Sequence, residues 1–196
     1  MITLPDGIGA TSATARMLDL GFIQDYVGGG SARIDRPGNR FEIDLTFPPM
    51  RGDDARVLVA RLTRAKSGGL RVKYPLQGVG QGNPGSPVVN GTDSAGRTLK
   101  LRGLLPGYAA KEGYWLTLVS AGGQYFLHQV SALALADGSG LATLTVEPPL
   151  RVFPGDGWTV LLAKPMVEGL VTSAAQWGMP VGGRIQGLAV TLREKA

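Results

Sequence analysis

The sequence predicts a mainly β protein with one clear α-helix. Its expected build is a β-sandwich or barrel-type domain carrying an inserted small antiparallel β-barrel or sandwich of OB-like kind. Three observations predict this. Glycine and proline together supply 43 of 196 residues, about 22% against a usual ~12%, with no collagen period, so turns cut the chain into short elements. Apolar and polar residues alternate in several short runs, the period of half-buried strands. Only one stretch carries an apolar stripe at helical spacing.

Residues 1–40 are weakly patterned. Leu18 to Val27 reads as a strand, Gly28-Gly29-Gly30-Ser31 as a flexible segment, and Arg33 to Asn39 as a turn around Pro37-Gly38. The pattern sharpens at 41–47. Phe41, Ile43, Leu45 and Phe47 fall on one face of a strand, and Glu42, Asp44 and Thr46 on the other. Pro48-Pro49, unable to donate to a ladder, stops it. The helix follows over about 53–66. Asp53 or Asp54 is expected to cap it, Ala55, Leu58, Val59, Leu62 and Ala65 form its apolar stripe, and Gly68-Gly69 ends it. Leu70, Val72, Tyr74 and Leu76 then alternate with Arg71, Lys73 and Pro75 in a second strand.

At 78–87, Gly-Val-Gly-Gln-Gly-Asn-Pro-Gly-Ser-Pro marks a boundary. Short strands follow at the spacing of a small barrel or sandwich. They are Val88-Val89, a run around Leu99 and Leu101, Trp115 to Val119, Tyr125 to Val130, Leu141 to Val146, and Trp158 to Leu162. Asn90-Gly91, Leu105-Pro106-Gly107, Ala121-Gly122-Gly123 and Asp137-Gly138-Ser139-Gly140 turn between them. Beyond 162 the pattern loosens to Met166, Val167 and Leu170, then Trp177, then alternating Leu188, Val190 and Leu192. The division expected is therefore a β-module at 78–162 inserted into a domain made from 1–77 and 163–196.

The net charge of +5 is spread thinly, as +3 over 1–75, zero over 76–150 and +2 over 151–196. No tract of like charge points to a partner. The complete absence of cysteine excludes disulfides, cysteine-based metal centres and thiol nucleophiles. The first residues lack a basic stretch followed by an apolar one, so no signal peptide is expected. No eighteen apolar residues run together, so no spanning helix and no membrane insertion are expected.

Gly80-Gln81-Gly82-Asn83-Pro84-Gly85 matches GxGxxG in form. A dinucleotide site needs a helix to start there, which Pro84 and Pro87 oppose, so the segment is a linker. His128 is the single histidine, with Ser120 and Ser131 near in sequence but no nucleophile elbow, and is expected on the surface or partly buried. Glu42 and Asp44 share a strand face as two carboxylates of a glycoside hydrolase would, yet alternation alone produces a solvated acidic face. Arg56, Arg61 and Arg64 on the helix suit solvent or an acidic neighbour as well as phosphates. Asn90-Gly91-Thr92 reads as a hairpin turn rather than a glycosylation site. Trp115, Trp158 and Trp177 read as core or interface anchors. No catalytic, cofactor-binding or metal-binding residue is assigned, and the chain is expected not to be an enzyme.

A resemblance adds to this reading. The run Arg40-Phe41-Glu42-Ile43-Asp44-Leu45-Thr46-Phe47-Pro48-Pro49 leads into the helix and then Leu70-Arg71-Val72-Lys73-Tyr74-Pro75-Leu76. After these come Gly85-Ser86-Pro87-Val88-Val89-Asn90-Gly91, Gly96-Arg97-Thr98-Leu99-Lys100-Leu101-Arg102-Gly103, Ala136-Asp137-Gly138-Ser139-Gly140 and Thr145-Val146-Glu147-Pro148-Pro149-Leu150-Arg151. Across about 33–192 the chain resembles the distal tail proteins of long-tailed (siphovirus-like) bacteriophages. The resemblance implies a non-enzymatic virion protein without cofactors, assembled in the host cytoplasm as a ring, often of six copies. Such a ring joins the tail tube to the tip hub or the receptor-binding apparatus. Its implied partners are itself, the tube and tape-measure proteins, and hub or fibre proteins, with no specific nucleic acid. Two rival readings come from the residues. One is a carbohydrate-binding module using Trp115, Tyr125 or Trp158 as a stacking platform. The other is a nucleic-acid-binding barrel, which the zero charge of the insertion opposes.

Overall fold

The alternation at 41–47 places its strand at the centre of the flanking domain, where one face must be covered. The computed structural model describes all residues except 6, 35–37, 77, 174–175, 179–183 and 196, with the side chains of 176 and 177 also outside the description. Before the insertion run β1 (Ile2–Thr3), β2 (Ser12–Leu18), β3 (Phe22–Asp25), β4 (Ser31–Ile34), β5 (Arg40–Thr46), β6 (Met50–Arg51), α1 (Gly52–Gly68) and β7 (Leu70–Lys73). The insertion holds β8 (Gly85–Val89), β9 (Thr98–Leu104), β10 (Ala109–Ala110), β11 (Trp115–Val119), β12 (Tyr125–Val130), β13 (Ala134–Leu135), β14 (Ala142–Glu147) and β15 (Thr159–Leu161). The chain closes with β16 (Met166–Val171), β17 (Gln176–Gly178) and β18 (Arg184–Glu194).

The flanks build one sheet in the order β1-β7-β16-β18-β5-β2, with β6 and β17 on β18. Antiparallel β18 is paired along both sides, to β5 through Leu192↔Ile43 and to β16 through Leu170↔Arg193. The helix covers the apolar face. Ala55, Leu58, Leu62 and Ala65 are buried against Phe41, Ile43, Leu45, Leu70, Val72, Val190 and Leu192. The helix begins after Arg51, which makes no side-chain cap; Asp53 and Asp54 lie in the first turn and favour the positive helix end without capping it. Gly169 in β16 lies so close to β18 that a β-carbon there would collide with the Arg193 carbonyl. Gly169→Ala is therefore expected to destabilise by about 3 kcal/mol, the upper range for overpacking, measured by denaturant unfolding.

The insertion closes into a six-stranded antiparallel barrel, β11-β12-β14-β9-β8-β15. Its own core includes Val89, Leu99, Leu101, Leu116, Leu118, Phe126, Leu144, Val146 and Val160. Thus the protein is mainly β with one helix and a closed barrel, as its alternations predict.

Sheet and barrel meet along a seam. Trp115 packs edge-on to Phe41 with ring centroids 4.9 Å apart and lies 4.5 Å from Tyr74, while Leu127 joins the sheet core. Polar groups in the seam are paired. The Thr117 hydroxyl donates to the Met166 carbonyl at 2.6 Å and accepts its amide at 2.8 Å. Gln81 accepts from the Trp115 amide and donates to the Trp115 and Leu162 carbonyls. The Glu194 carboxylate accepts the amides of Phe41 and Leu127, each at 2.8 Å, and the Arg151 guanidinium at 3.0 Å. Burial raises the Glu194 carboxyl above its ordinary range against the pull of Arg151 and those amides.

Several local expectations are corrected. The strand expected over 18–27 is two: β2 ends at Leu18 and β3 starts at Phe22. The flexible Gly28–Ser31 segment is the turn of a β3–β4 hairpin, closed by the Tyr26 amide on the Gly30 carbonyl. Of the expected turn at 33–39, Arg33 and Ile34 belong to β4, and Pro37 lies outside the described residues. The ladder of the second strand stops at Lys73, before Pro75. Gly85–Pro87, placed in the linker from sequence, already forms the start of barrel strand β8.

Candidate functional site

Barrel strand β12 has two apolar faces, and the parity of the closed barrel decides which one is inside. Phe126 and Val130 line the barrel core while Leu127 turns to the sheet. His128 shares the inward parity and is 1% exposed. The surface or partly buried position expected for it is thus corrected. Its Nδ1 lies 2.9 Å from the Pro148 carbonyl; with the carbonyl accepting, Nδ1 holds the ring proton. Burial, opposed by that bond and aided by Arg151, pushes the imidazole down to about 4. Ser120 is occupied in its turn, accepting the Gln124 amide, and the Ser131 amide bonds the Thr145 carbonyl. His128, Ser120 and Ser131 form no nucleophile–base pair.

Glu42 and Asp44 project from the sheet face away from the helix, as alternation predicts, but Glu42 is not solvated. Arg16 from β2 and Arg193 from β18 close over it, leaving the side chain 6% exposed. Arg193 Nε donates at 2.6 Å, and Arg16 also reaches Asp44 at 2.7 Å. Burial pushes the Glu42 carboxyl up, yet the bonds from Arg193 and Arg16 outweigh it and hold the group below its usual range. Asp44 is held down chiefly by the Thr191 hydroxyl, then by Arg16. Both carboxylates are thus held toward their ionised form by the arginines and the Thr191 hydroxyl.

The remaining candidates are placed as follows. Gly80–Gly85 leads into a strand, with Gln81 pinned in the seam. Arg61 donates to the Thr3 carbonyl at 2.7 Å, Arg56 lies 3.7 Å from Asp53, and Arg64 is exposed. The Asn90 amide bonds the Lys100 carbonyl, and the Gly91 amide bonds Asp156. Trp158 stacks on Phe126 at 6.4 Å, and the Arg71 guanidinium sits 3.8 Å above Tyr125. Trp115 and Trp158 each pack on another ring and Tyr125 lies under Arg71, so among the described residues no two of these three rings stack on each other. The Trp177 side chain lies outside the described residues. Among the described residues no three His, Asp or Glu gather to hold a metal ion, and no helix is long and apolar enough to cross a membrane.

The surface that distinguishes this molecule is the β3–β4 hairpin. It forms a two-stranded sheet separate from the others. Its strands are four residues each, and its glycine tip reads in the sequence as flexible chain. Its base is fixed: Asp19 accepts the Gly21 amide at 2.8 Å, the Asn39 amide group at 3.1 Å, and Arg33, while the Leu20 amide donates to Asn39. The Gly21 amide and then Arg33 hold the Asp19 carboxyl below its usual range. Beyond this base, Ile23 is 67% exposed, Tyr26 55%, and Val27 at the tip fully exposed. Two-stranded hairpins are marginal alone in water.

No protein-family model matches this chain, and no curated protein matches it in sequence.

Proposed function

We propose that this chain is a non-enzymatic structural protein of a bacteriophage virion, a distal tail component that forms a ring between tail tube and tip. In this reading the sheet domain (1–77 with 163–196) associates with further copies, six to a ring. The barrel (78–162) is carried by that ring toward the hub or receptor-binding proteins. Tube, tape-measure, hub and fibre proteins are its neighbours in the virion. The observation that carries the reading is the anchored hairpin with its exposed Ile23, Tyr26 and Val27, a structure that needs a partner surface to be stable.

Light scattering after size-exclusion chromatography tests the assembly. A mass several times that of one chain is expected for the native protein. Ile23→Asp with Val27→Asp is expected to reduce it to the monomer while leaving the far-ultraviolet circular dichroism of the folded chain unchanged. A native monomer at all concentrations, or an assembly indifferent to these substitutions, would remove the support. Turnover on polysaccharide or peptidoglycan that disappears in Glu42→Gln, Asp44→Asn or His128→Gln would replace the structural reading with an enzymatic one.

A further inference from the structure

The barrel rim carries a chemically labile dipeptide. Of the three asparagines, Asn39, Asn83 and Asn90, only Asn90 is followed by glycine. With no side chain on the next residue, its backbone nitrogen can approach the asparagine Cγ unhindered, which is the condition for spontaneous deamidation. The turn itself requires this glycine. Gly91 takes a φ of +73°, a strained value for any side chain, although nothing lies within 4 Å of a β-carbon built there.

The folded barrel restrains the groups that this reaction moves. The Asn90 amide donates to the Lys100 carbonyl at 2.9 Å. The Val89 carbonyl accepts the Gly157 amide and Arg102 Nη1, each at 3.0 Å. The Gly91 amide, whose nitrogen would attack, donates to Asp156 Oδ1 at 2.7 Å. Arg102 grips that carboxylate with both terminal nitrogens, Nη1 on Oδ1 and Nη2 on Oδ2 at 3.1 Å, and its Nη1 lies 3.5 Å from Asn90 Oδ1.

The Arg102 and Asp156 side chains are 38% and 52% exposed. A pair so open to solvent adds little to stability. Its position gives it another effect. Arg102, and then the Gly91 amide, hold the Asp156 carboxyl below its usual range, so it keeps the Gly91 N–H bonded and is a weak base toward that proton.

We propose that the Arg102–Asp156 pair guards a latent modification site: by holding the Gly91 amide and the turn around it, the pair keeps Asn90 from deamidating in the folded barrel. In the reaction the Gly91 nitrogen loses its proton and bonds to Asn90 Cγ, the Cγ–Nδ2 bond breaks, and ammonia leaves with that proton. Water then opens the cyclic imide, at Cγ to give aspartate or at the main-chain carbonyl to give isoaspartate. The guard acts in two ways. Attack requires the bond to Asp156 to break, and the nitrogen anion would form against a like charge. The rotation that brings Cγ over the nitrogen also requires the pinned turn to open. Conversion leaves a lasting record of such opening, because the new carboxylate competes with Asp156 for Arg102. The inference is independent of the virion reading.

The test incubates the full chain at mildly alkaline pH and follows conversion of Asn90 by mass spectrometry of its proteolytic peptide. Chemistry that needs local opening proceeds in proportion to the open population. Conversion is expected to be slowest in the native chain and fastest in guanidinium chloride. Asp156→Ala and Arg102→Met should each raise the native rate about fivefold, the upper range for an exposed ion pair. Neither side chain belongs to the barrel core. Arg97→Met, which breaks the exposed pair with Glu147 on the same barrel, should leave the rate unchanged. Equal rates in the native and unfolded chains, a native rate unmoved by Asp156→Ala or Arg102→Met, or an equal rise with Arg97→Met would each overturn the proposal, the last marking a general loosening of the barrel.

Discussion

Expressed alone, residues 78–162 are expected to melt cooperatively as a β-protein, and the flanks joined by a short Gly-Ser linker are expected to stay folded but weakened. The barrel closes on itself within 85–161 and has its own buried core, so excision breaks no strand pairing inside it. It does bare Leu127 and Trp115, which lowers solubility rather than ending folding. The flanks can be bridged because Lys73 and Met166, the last and first rungs beside the insertion, are paired across the ladder. What the flanks lose is the cover over Phe41 and Tyr74 supplied by Trp115, together with Leu127. Losing the half-buried Trp115 ring together with the buried Leu127 is expected to cost about 3–5 kcal/mol, the range for a single large core side chain, read in denaturant unfolding of the linker protein. A disordered barrel fragment, or flanks that aggregate, would make the chain one indivisible domain.

The second large effect is acid sensitivity through His128. The native imidazole is held down to about 4, whereas in the unfolded chain it titrates near 6.5. Below pH 6.5 the unfolded state therefore takes up a proton that the native state refuses, so stability falls as pH falls and levels off below about 4. A shift of this size corresponds to about 3 kcal/mol. Glu42, Asp44, Asp19 and Asp156 are all held below their usual range, so their stabilisation is lost at lower pH. Glu194, raised by burial, works in the opposite direction. The fall in stability between pH 6.5 and about 4.5 thus belongs to His128, partly offset by Glu194, which gains its proton more readily in the native state. In His128→Gln, whose side chain can still donate to the Pro148 carbonyl, the melting temperature is expected no longer to fall across that interval and to stay level or rise slightly. An unchanged slope would place the proton elsewhere.

The central strand was legible because Phe41, Ile43, Leu45 and Phe47 need one dry face, and the helix because Leu58 and Leu62 need the same one. Strand β2 was not. Its core-facing Ala13 and Ala15 are too small to stand out against Thr14 and Arg16, and an edge strand requires no more. The burial of Glu42 carried no local signal, since its arginines lie 26 and 151 residues away in sequence. For His128 a signal did exist, in step with Phe126 and Val130. It was masked because the outward face, Tyr125 and Leu127, is apolar too, packing on the sheet. Strands buried on both sides lose the alternation that would sort their residues. The apolar hairpin was hidden for a different reason: its Gly28-Gly29-Gly30 tip reads as slack chain, although the Tyr26 and Gly30 backbones close it.

The place of the insertion has a mechanical consequence. The barrel leaves the sheet after β7 and returns at β16, two antiparallel neighbours joined at the same end by the Lys73–Met166 rung. A pull on the barrel away from the sheet therefore loads this pair in the peeling direction, rung by rung, rather than in shear, where all rungs would resist together. The Tyr74 amide on the Pro165 carbonyl is the first bond to feel it. The Thr117 and Glu194 bonds cross from barrel to sheet beside that ladder and share the force with it. Traction on the barrel is therefore expected to part these seam bonds together with the first rungs, leaving the barrel, closed on itself, on a two-stranded tether.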